Sequence, residues 1–553
     1  MLQHGVATGS LALVNMGMPM SNCQTDYIAQ SKLVAALLVG HRYPHPAKAV
    51  RLIETHISWV LLVGRYAYKI KKALDLDFLN FTTLEARRFC CTEEIRLNRR
   101  LAPKIYLDVI SIGGSPDEPE LGAQPAIEYA VRMRRFASAN QMDRLLARGK
   151  ILPRHLDCLA ATLACFHGGL PAAETDSAFG SAAAIHASAL QNFEQLQPLL
   201  KQPADLDAVA ALRHATEVAY TGCEKRFGER RAQGCVRECH GDLHLGNIVL
   251  VGDEPIPFDG IEFNPALRWI DVMDEAAFTV MDLLHRERPE FAYRFLNAYL
   301  EATGDYGGVS VLRFYVAYRA AVRAKVSAIR ASQAGMSIRD TEDALATCRS
   351  YLELGEAYLT QYQPTLIITH GLPGSGKTTF AQAALERLQA LRIRSDVERK
   401  RLFGLAPLAD SSCIGNNMYS ADATRRTYAR LRELARGLLM AGFPVIVDAA
   451  FLKQDERKQF RELAQELSVP FAIASMQASK ATLSARITQR LAEACDASEA
   501  DITMLETLQA AQEPLLPHEL ARAAKFANEE DSKGDAADAF GWKTLDKLLV
   551  RQK

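Results

Sequence analysis

The stretch His240-Gly241-Asp242-Leu243-His244-Leu245-Gly246-Asn247 sets an aspartate five positions before an asparagine, and Asp259 follows 17 positions after Asp242. Phosphoryl transfer needs such a set. One aspartate accepts the proton of an acceptor hydroxyl, while an asparagine and a second aspartate hold Mg²⁺ against the phosphates. The apolar run after Asn247 can form a hairpin that brings the three side chains to one cleft. Asp242 is then the base, Asn247 and Asp259 are metal ligands, His240 braces the loop, and His244 has no assigned role. The competing reading is a zinc site of Cys235, Cys239, His240 and His244. It would crowd four ligands into ten residues, where two ligand pairs ordinarily need a gap of roughly 12 to wrap a tetrahedral ion. It also leaves Asp242, Asn247 and Asp259 without a task.

A second constellation is Gly371-Leu372-Pro373-Gly374-Ser375-Gly376-Lys377-Thr378, which satisfies GxxxxGK[ST] directly after an apolar strand and before a helix. Glycines let consecutive backbone N–H groups turn toward phosphate oxygens. Lys377 supplies a point charge to the phosphates, Thr378 a hydroxyl to Mg²⁺, and Thr379 continues the ATP-binding segment. Asp448 ends the strand VIVD, where a carboxylate would orient Mg²⁺ or its water; the alternative is a helix N-cap. Asp396, 19 positions after Lys377, could accept a proton from a substrate hydroxyl, with Arg399 one turn on to hold an anionic acceptor. The alternative for that pair is a solvated i,i+3 ion pair. Arg486 and Arg490 share a helical face and could close over a triphosphate, or simply be solvated.

A loop like that at Asp242 also requires a strand lysine for the phosphates and a helix glutamate to fix it. YAYKIKK offers Lys69 and Lys71 on one strand face and Lys72 on the other. Glu93 and Glu94 follow in a helix-prone segment. Lys69 with Glu94 is the expected pair, with Lys71 and Glu93 as substitutes. The turn Val63-Gly64-Arg65 lacks a glycine-rich phosphate loop. Arg313, Arg319, Arg323, Lys325 and Arg330, on one helix with an apolar face, read as a solvated or interdomain surface, the alternative being a role in binding phosphate or an acidic acceptor.

These residues must be positioned by more than one core, because 553 residues amount to roughly three domains. The expected organisation is a leader and helix (1–44), a small mixed lobe (45–136), a helical large lobe (137–347), a linker (348–363), a P-loop domain of alternating strands and helices (364–527), and a polar tail (528–553). Lys+Arg and Asp+Glu both number 65, so zero net charge gives no global field for nucleic acid or anionic membrane. The 11 cysteines are dispersed and odd in number, which fits a reducing cytoplasm better than a disulfide scaffold. No apolar run reaches the 18 residues of a membrane span. A soluble chain is expected, with about the first 25 residues a loose leader of open status.

HGDLHLGN and FDGIEF resemble the aminoglycoside phosphotransferase-like branch of the protein-kinase-like fold, over about residues 45–345. The resemblance implies a two-lobed ATP-dependent small-molecule kinase with Asp242 as base, Asn247 and Asp259 on Mg²⁺, and EYAVRM near the adenine. HGLPGSGKTTFA, IRSDVERKRLFG and VIVDAAFLKQDER resemble the small P-loop kinases, the group with polynucleotide kinase and gluconate kinase, over about 365–525. That resemblance implies an acceptor-side Asp396 and a lid carrying Arg486 and Arg490. The expected fold class is an α+β two-lobed kinase-like domain followed by an α/β P-loop domain with a parallel sheet. The expected function is a bifunctional phosphotransferase using ATP and Mg²⁺ on a small hydroxyl-bearing substrate, with oligomeric state left open. One alternative is a regulatory protein in which one domain binds ATP without transfer. Another is polynucleotide 5′-hydroxyl kinase activity, which the neutral net charge disfavours.

Overall fold

The computed structural model describes residues 22–550, apart from 77–78, 175, 334, 408, 410–417, 494–500 and 529–535. The leader 1–21 lies outside the described residues. The chain divides into two compact units, Met1–Asp282 with Tyr315–Gly355, and Leu283–Phe314 with Glu356–Lys553.

In the first unit, strands β1 (Val50–Glu54), β2 (Ser58–Val63) and β3 (Tyr66–Lys71) precede a two-stranded ribbon, β4 (Asp75–Leu76) with β5 (Leu79–Asn80). Then come β6 (Tyr106–Gly114), β7 (Pro119–Leu121) and β8 (Glu128–Arg134). The main sheet is antiparallel, in the order β1-β2-β3-β8-β6-β7. The alternation read in YAYKIKK divides its faces. Trp59 pairs with Ile70 and Leu61 with Tyr68 on the apolar face, which packs with Leu33, Val34 and Leu37. Ser58 pairs with Lys71 and Val60 with Lys69 on the other face. Helix Leu84–Asn98, N-capped by the Thr83 hydroxyl accepting from Ala86 N, buries Glu94.

The rest of this unit is mostly helical, including Pro153–Gly169, Ala182–Leu196 and Pro203–Ala232. Into it are set β9 (Val236–Glu238), β10 (Ile248–Val251), β11 (Glu254–Pro257) and β12 (Trp269–Asp271). β10 and β11 form the expected hairpin, and β9 pairs with β12. The two-lobed α+β fold is thus present, with the strand-and-loop island inside its helices.

In the second unit β13 (Leu366–His370), β14 (Leu391–Arg394), β15 (Val445–Asp448), β16 (Phe471–Gln477) and β17 (Ala523–Ala527) form a parallel sheet in the order β14-β15-β13-β16-β17. Every residue of β13 and β15 is buried, as short continuous apolar runs covered on both faces require. The P-loop leaves the carboxyl end of the central strand β13, where ligands of such sheets bind.

Residues 283–314, expected in the helical large lobe, cluster with this second unit because they cover the edge strand β14. Asn297, on helix Pro289–Thr303, donates to Ala390 O at 2.9 Å and accepts from Arg392 N at 2.6 Å, so one amide side chain serves as a missing strand neighbour. Glu301, one turn on, pairs with Arg392 and Arg394 at 3.1 and 3.0 Å. Much of the expected linker lies in helix Ile338–Thr360. The expected polar tail contains helix Ala536–Leu549, whose Trp542 ring lies 5.2 Å from Phe380 and 5.4 Å from Phe526. Its Leu545 is fully buried, so a narrow apolar face anchors a segment whose composition is otherwise polar. Among the described residues no helix is long and apolar enough to cross a membrane.

Candidate functional site

The P-loop borders a cavity of ≈ 830 Å³. Gly374 and Gly376 have φ of 80° and 92°, left-handed backbone that turns the loop N–H groups inward. A Cβ at Gly376 would fall 1.7 Å from Asn528 Nδ2, so a larger residue would displace that amide and strain a left-handed backbone. Pro373, Gly374, Gly376, Lys377, Thr378 and Thr379 line the cavity, whereas Gly371, Leu372 and Ser375 do not. The Lys377 ammonium donates to Leu372 O at 2.9 Å, folded back over its own loop. Burial pulls its pKa down, against the opposing pull of Asp448 and Asp396.

Asp448, Asp396, Arg486 and Arg490 line the same cavity. Asp448 is 5% exposed, and its Oδ2 has no hydrogen-bond partner, with Arg394 at 4.0 Å. Burial pushes its carboxyl up, against Arg394, Arg392 and Lys377. An orphaned buried carboxylate oxygen beside the Thr378 hydroxyl fits a divalent cation. Asp396 stands in the first turn of helix Ser395–Leu402. Arg399, its expected neighbour, is stacked 5.1 Å from the Tyr419 ring centroid and donates to Met418 O at 3.2 Å. Asn528, just past β17, was not read from the sequence. It donates to Ser375 O at 3.0 Å, while Arg486 reaches Asn528 Oδ1 at 3.4 Å and Gly374 O at 3.5 Å. No motif marks that asparagine; only its position after the last strand could have.

In the first unit Lys69 Nζ lies 2.9 Å from Glu94 Oε1 and 2.6 Å from Asp259 Oδ1. Lys71 Nζ reaches the other Glu94 oxygen at 2.7 Å and also pairs with Glu262. Burial would raise the Glu94 carboxyl, but Lys69 and Lys71 hold it down at about 2. Glu93, the substitute, is turned to Arg96 at 2.7 Å, and Lys72 pairs with Glu54 on the other face. The register also decides which turn lies at the lysine end of the sheet. Gly64-Arg65 joins β2 to β3 at the sheet end away from Lys71, because Val63 pairs with Tyr66 and Ser58 with Lys71. The turn at the lysine end is Thr55–Ile57. It has no glycine and is closed by Ser58 N donating to Thr55 Oγ1 at 3.0 Å.

Asn247 donates Nδ2 to Asp242 Oδ2 at 2.9 Å, so its carbonyl oxygen is the atom it can offer a cation. Phe258 N donates to Asn247 O at 2.9 Å at the open end of the hairpin, which sets Asp259 beside Asn247. Asp259 has a left-handed φ of 65°, held by its N–H on Tyr106 Oη at 3.0 Å and by Gly260 N on Asn98 Oδ1 at 2.8 Å. Burial would raise the Asp242 carboxyl, but His244, with Arg323 and His240, holds it well below the usual range. His244 therefore has a place: its Nδ1 accepts from Gly246 N at 3.1 Å, which directs Nε2 to Asp242 Oδ2 at 3.6 Å.

The four side chains of the zinc alternative do not converge. His240 Nε2 meets Phe258 O at 2.9 Å, His244 is turned as above, and Cys239 Sγ lies against Ile270 O. Helix Val272–His285 braces the loop instead. Glu275 accepts from His240 N and Gly241 N, Thr279 donates to Leu243 O, and Asp282 accepts from Leu245 N. Positions 275, 279 and 282 lie on one helical face, a polar i, i+4, i+7 set that the sequence displays within a mainly apolar helix. Arg319, expected on a solvated or interdomain face, is 5% exposed. It pairs with Asp274 at 2.7 Å and donates to Gly241 O at 3.1 Å, because the loop offers a buried partner.

Comparison with known proteins places the family described as AAA domain on residues 366–515. Among solved structures, a choline/ethanolamine kinase family protein from Mesorhizobium loti is 13% identical, over 61% of this chain and 98% of its own, with a TM-score of 0.35. Amicoumacin kinase hAmiN is 14% identical over 60% of this chain and 94% of its own, with a TM-score of 0.38. A gluconokinase from Sinorhizobium meliloti 1021 is 20% identical over 34% of this chain and 93% of its own, with a TM-score of 0.24. Uncharacterized protein Rv2004c of Mycobacterium tuberculosis (strain ATCC 25618 / H37Rv) is 31% identical over 415 residues, 75% of this chain and 80% of its own length. Uncharacterized protein Mb2027c of Mycobacterium bovis (strain ATCC BAA-935 / AF2122/97) matches equally. The chain, which joins an α+β unit to a P-loop domain with a parallel sheet, belongs to the family of these mycobacterial proteins.

Proposed function

We propose that the chain is an ATP-dependent phosphotransferase with a nucleotide site in each unit, each site moving the γ-phosphoryl group to a hydroxyl of a small molecule. The observation that supports this best is the single cavity lined by Lys377, Thr378, Asp448, Asp396, Arg486 and Arg490. In that cavity Lys377 leaves Leu372 O for the phosphates, the loop N–H groups bind phosphate oxygens, and the two arginines neutralise the charge that develops in transfer. Asp396 accepts the acceptor's hydroxyl proton, with Arg399 beside it for an anionic group. In the first unit Lys69 holds phosphate, Glu94 orients Lys69, and Asp242 accepts the proton on a carboxylate fixed by Asn247 and His244. Mg²⁺, on Thr378 and Asp448 in one unit and on Asn247 and Asp259 in the other, would supply charge neutralisation between the phosphates.

Zero net charge argues against nucleic acid as acceptor, and cysteines dispersed along the chain, odd in number, fit a reducing cytoplasm. The glycine-free Thr55–Ile57 turn favours a second reading, in which the first unit binds ATP without transferring phosphate. Separate Lys377→Ala and Asp242→Ala variants, assayed over sugars, nucleosides, aminoglycosides and 5′-hydroxyl oligonucleotides, test both. Product formation untouched by Asp242→Ala supports the second reading; product lost in both variants requires two working sites.

A further inference from the structure

Lys71 and Glu262 form a buried ion pair that the mechanism above does not use. With their neighbours they complete a run of alternating charge, Asp259, Lys69, Glu94, Lys71, Glu262, in which each group meets the next directly. The run spans three elements. Both lysines come from β3 and Glu94 from helix Leu84–Asn98, while Asp259 and Glu262 stand three residues apart in one loop, so the backbone closes the run into a ring.

The halves of the ring differ in exposure. The side chains of Lys71 and Glu262 are 0% and 4% exposed, those of Lys69 and Asp259 11% and 44%. A fully buried pair is held hard, because removing one partner strands an uncompensated charge in low dielectric. A carboxylate that is nearly half exposed can exchange its lysine for a cation that arrives through solvent. Three carboxylates against two ammonium groups leave the ring one negative charge in excess, which favours a cation.

We propose that Lys71 and Glu262 are positioning residues, the fixed half of this ring, and that Lys69–Asp259 is the half that opens when Mg²⁺ and nucleotide bind. The proposal rests on the reading of the first unit as a Mg²⁺-nucleotide site. Lys71 holds Glu94 by Oε2, which leaves Oε1 aimed at Lys69 after Asp259 has let go. Glu262 anchors the loop of Asp259 from its far side, while Asn98, one turn beyond Glu94, holds it at Gly260 N. Glu262 thereby acts through Lys71 and not as a metal ligand.

The test uses the full chain carrying Lys377→Ala, which silences the P-loop site. Melting of the nucleotide-free protein is compared for Lys71→Met, Glu262→Gln and the double variant. Binding of ADP is measured by calorimetry with Mg²⁺ and with EDTA for Glu262→Gln and Asp259→Asn. Each single change is expected to lower Tm by about 5–10 °C, and the double variant to lose clearly less than the sum. Glu262→Gln should weaken Mg²⁺–ADP binding about tenfold, as expected for a loop held by a buried ion pair. Asp259→Asn should abolish the gain from Mg²⁺ while ADP in EDTA binds as tightly or more tightly, because Lys69 is released. An unchanged Tm in Glu262→Gln together with complete loss of the Mg²⁺ effect would make Glu262 a metal ligand and overturn the proposal. So would single effects that simply add. Should the singles fail to fold, a folded double variant supports the pair, and a double variant that also fails refutes it. Absence of any ADP binding refutes the nucleotide reading and the opening half, and the melting cycle still decides the fixed half on its own.

Discussion

Asn247 Nδ2 donates to Asp242 Oδ2 at 2.9 Å, five positions back along the chain. On the proposed reading the same asparagine aims the base and offers its oxygen to a cation. Asp242→Asn should lower first-unit turnover by roughly 10²–10⁴ with little change in nucleotide affinity, the usual worth of a general base. Asn247→Ala should lower turnover and also raise the Mg²⁺ concentration required. Steady-state kinetics over a Mg²⁺ series separates the two, and equal Mg²⁺ dependence in both variants contradicts the assignment.

Asn528 ties the end of β17 and Arg486 to the P-loop at Ser375 O. Asn528→Ala removes bonds worth about 1–2 kcal/mol together. The KM for ATP at the P-loop site should therefore rise roughly 5- to 30-fold with kcat nearly unchanged. A fall in kcat at constant KM would mean that Asn528 acts in the transition state instead.

His370, at the end of β13, is held down at about 4 by burial first, then by Arg457 and Lys377. The folded state keeps it neutral, while the unfolded chain protonates near 6.5. Its contribution is complete above 6.5 and is lost as pH falls toward 4, at most on the order of 3 kcal/mol. Melting curves of wild type and His370→Asn from pH 4 to 7 check this. The wild type should lose stability more steeply, and parallel profiles would contradict the assignment.

Asn297 satisfies Ala390 O and Arg392 N at the edge of β14. Asn297→Ala leaves both backbone groups without that partner and should cost about 2 kcal/mol, read as a lower denaturant midpoint at unchanged slope. An exposed edge should also make the variant more prone to association.

Asn297 also shows where sequence reading stopped. The P-loop, the alternating strands after it, the hairpin after Asn247 and the lysine face of β3 were legible, because each is local: a spacing, a period of two, a glycine pattern. Asn297 was not, since an asparagine that completes a sheet edge from about 95 residues away leaves no periodic mark. The helix Ala536–Leu549 was hidden by composition, which averages over a narrow buried face. At the site, Lys69, Glu94, Asp242, Asn247 and Asp259 were named from spacing, whereas Glu262 and Lys71 gained meaning only when β3, the helix and the loop were brought together. That the Thr55–Ile57 turn, and not Val63-Gly64-Arg65, lies at the Lys71 end of the sheet follows only from the strand register.

The most direct measurement is ATP-dependent phosphorylation of a hydroxyl acceptor panel by wild type, Lys377→Ala and Asp242→Ala, with product identified by mass. Two working sites should give a phosphorylated product whose formation falls by at least roughly 10²-fold in each variant for the step that its own unit performs. Wild-type protein that hydrolyses ATP but phosphorylates no acceptor, or product formation indifferent to both substitutions, would contradict the assignment of phosphotransfer to these two sites.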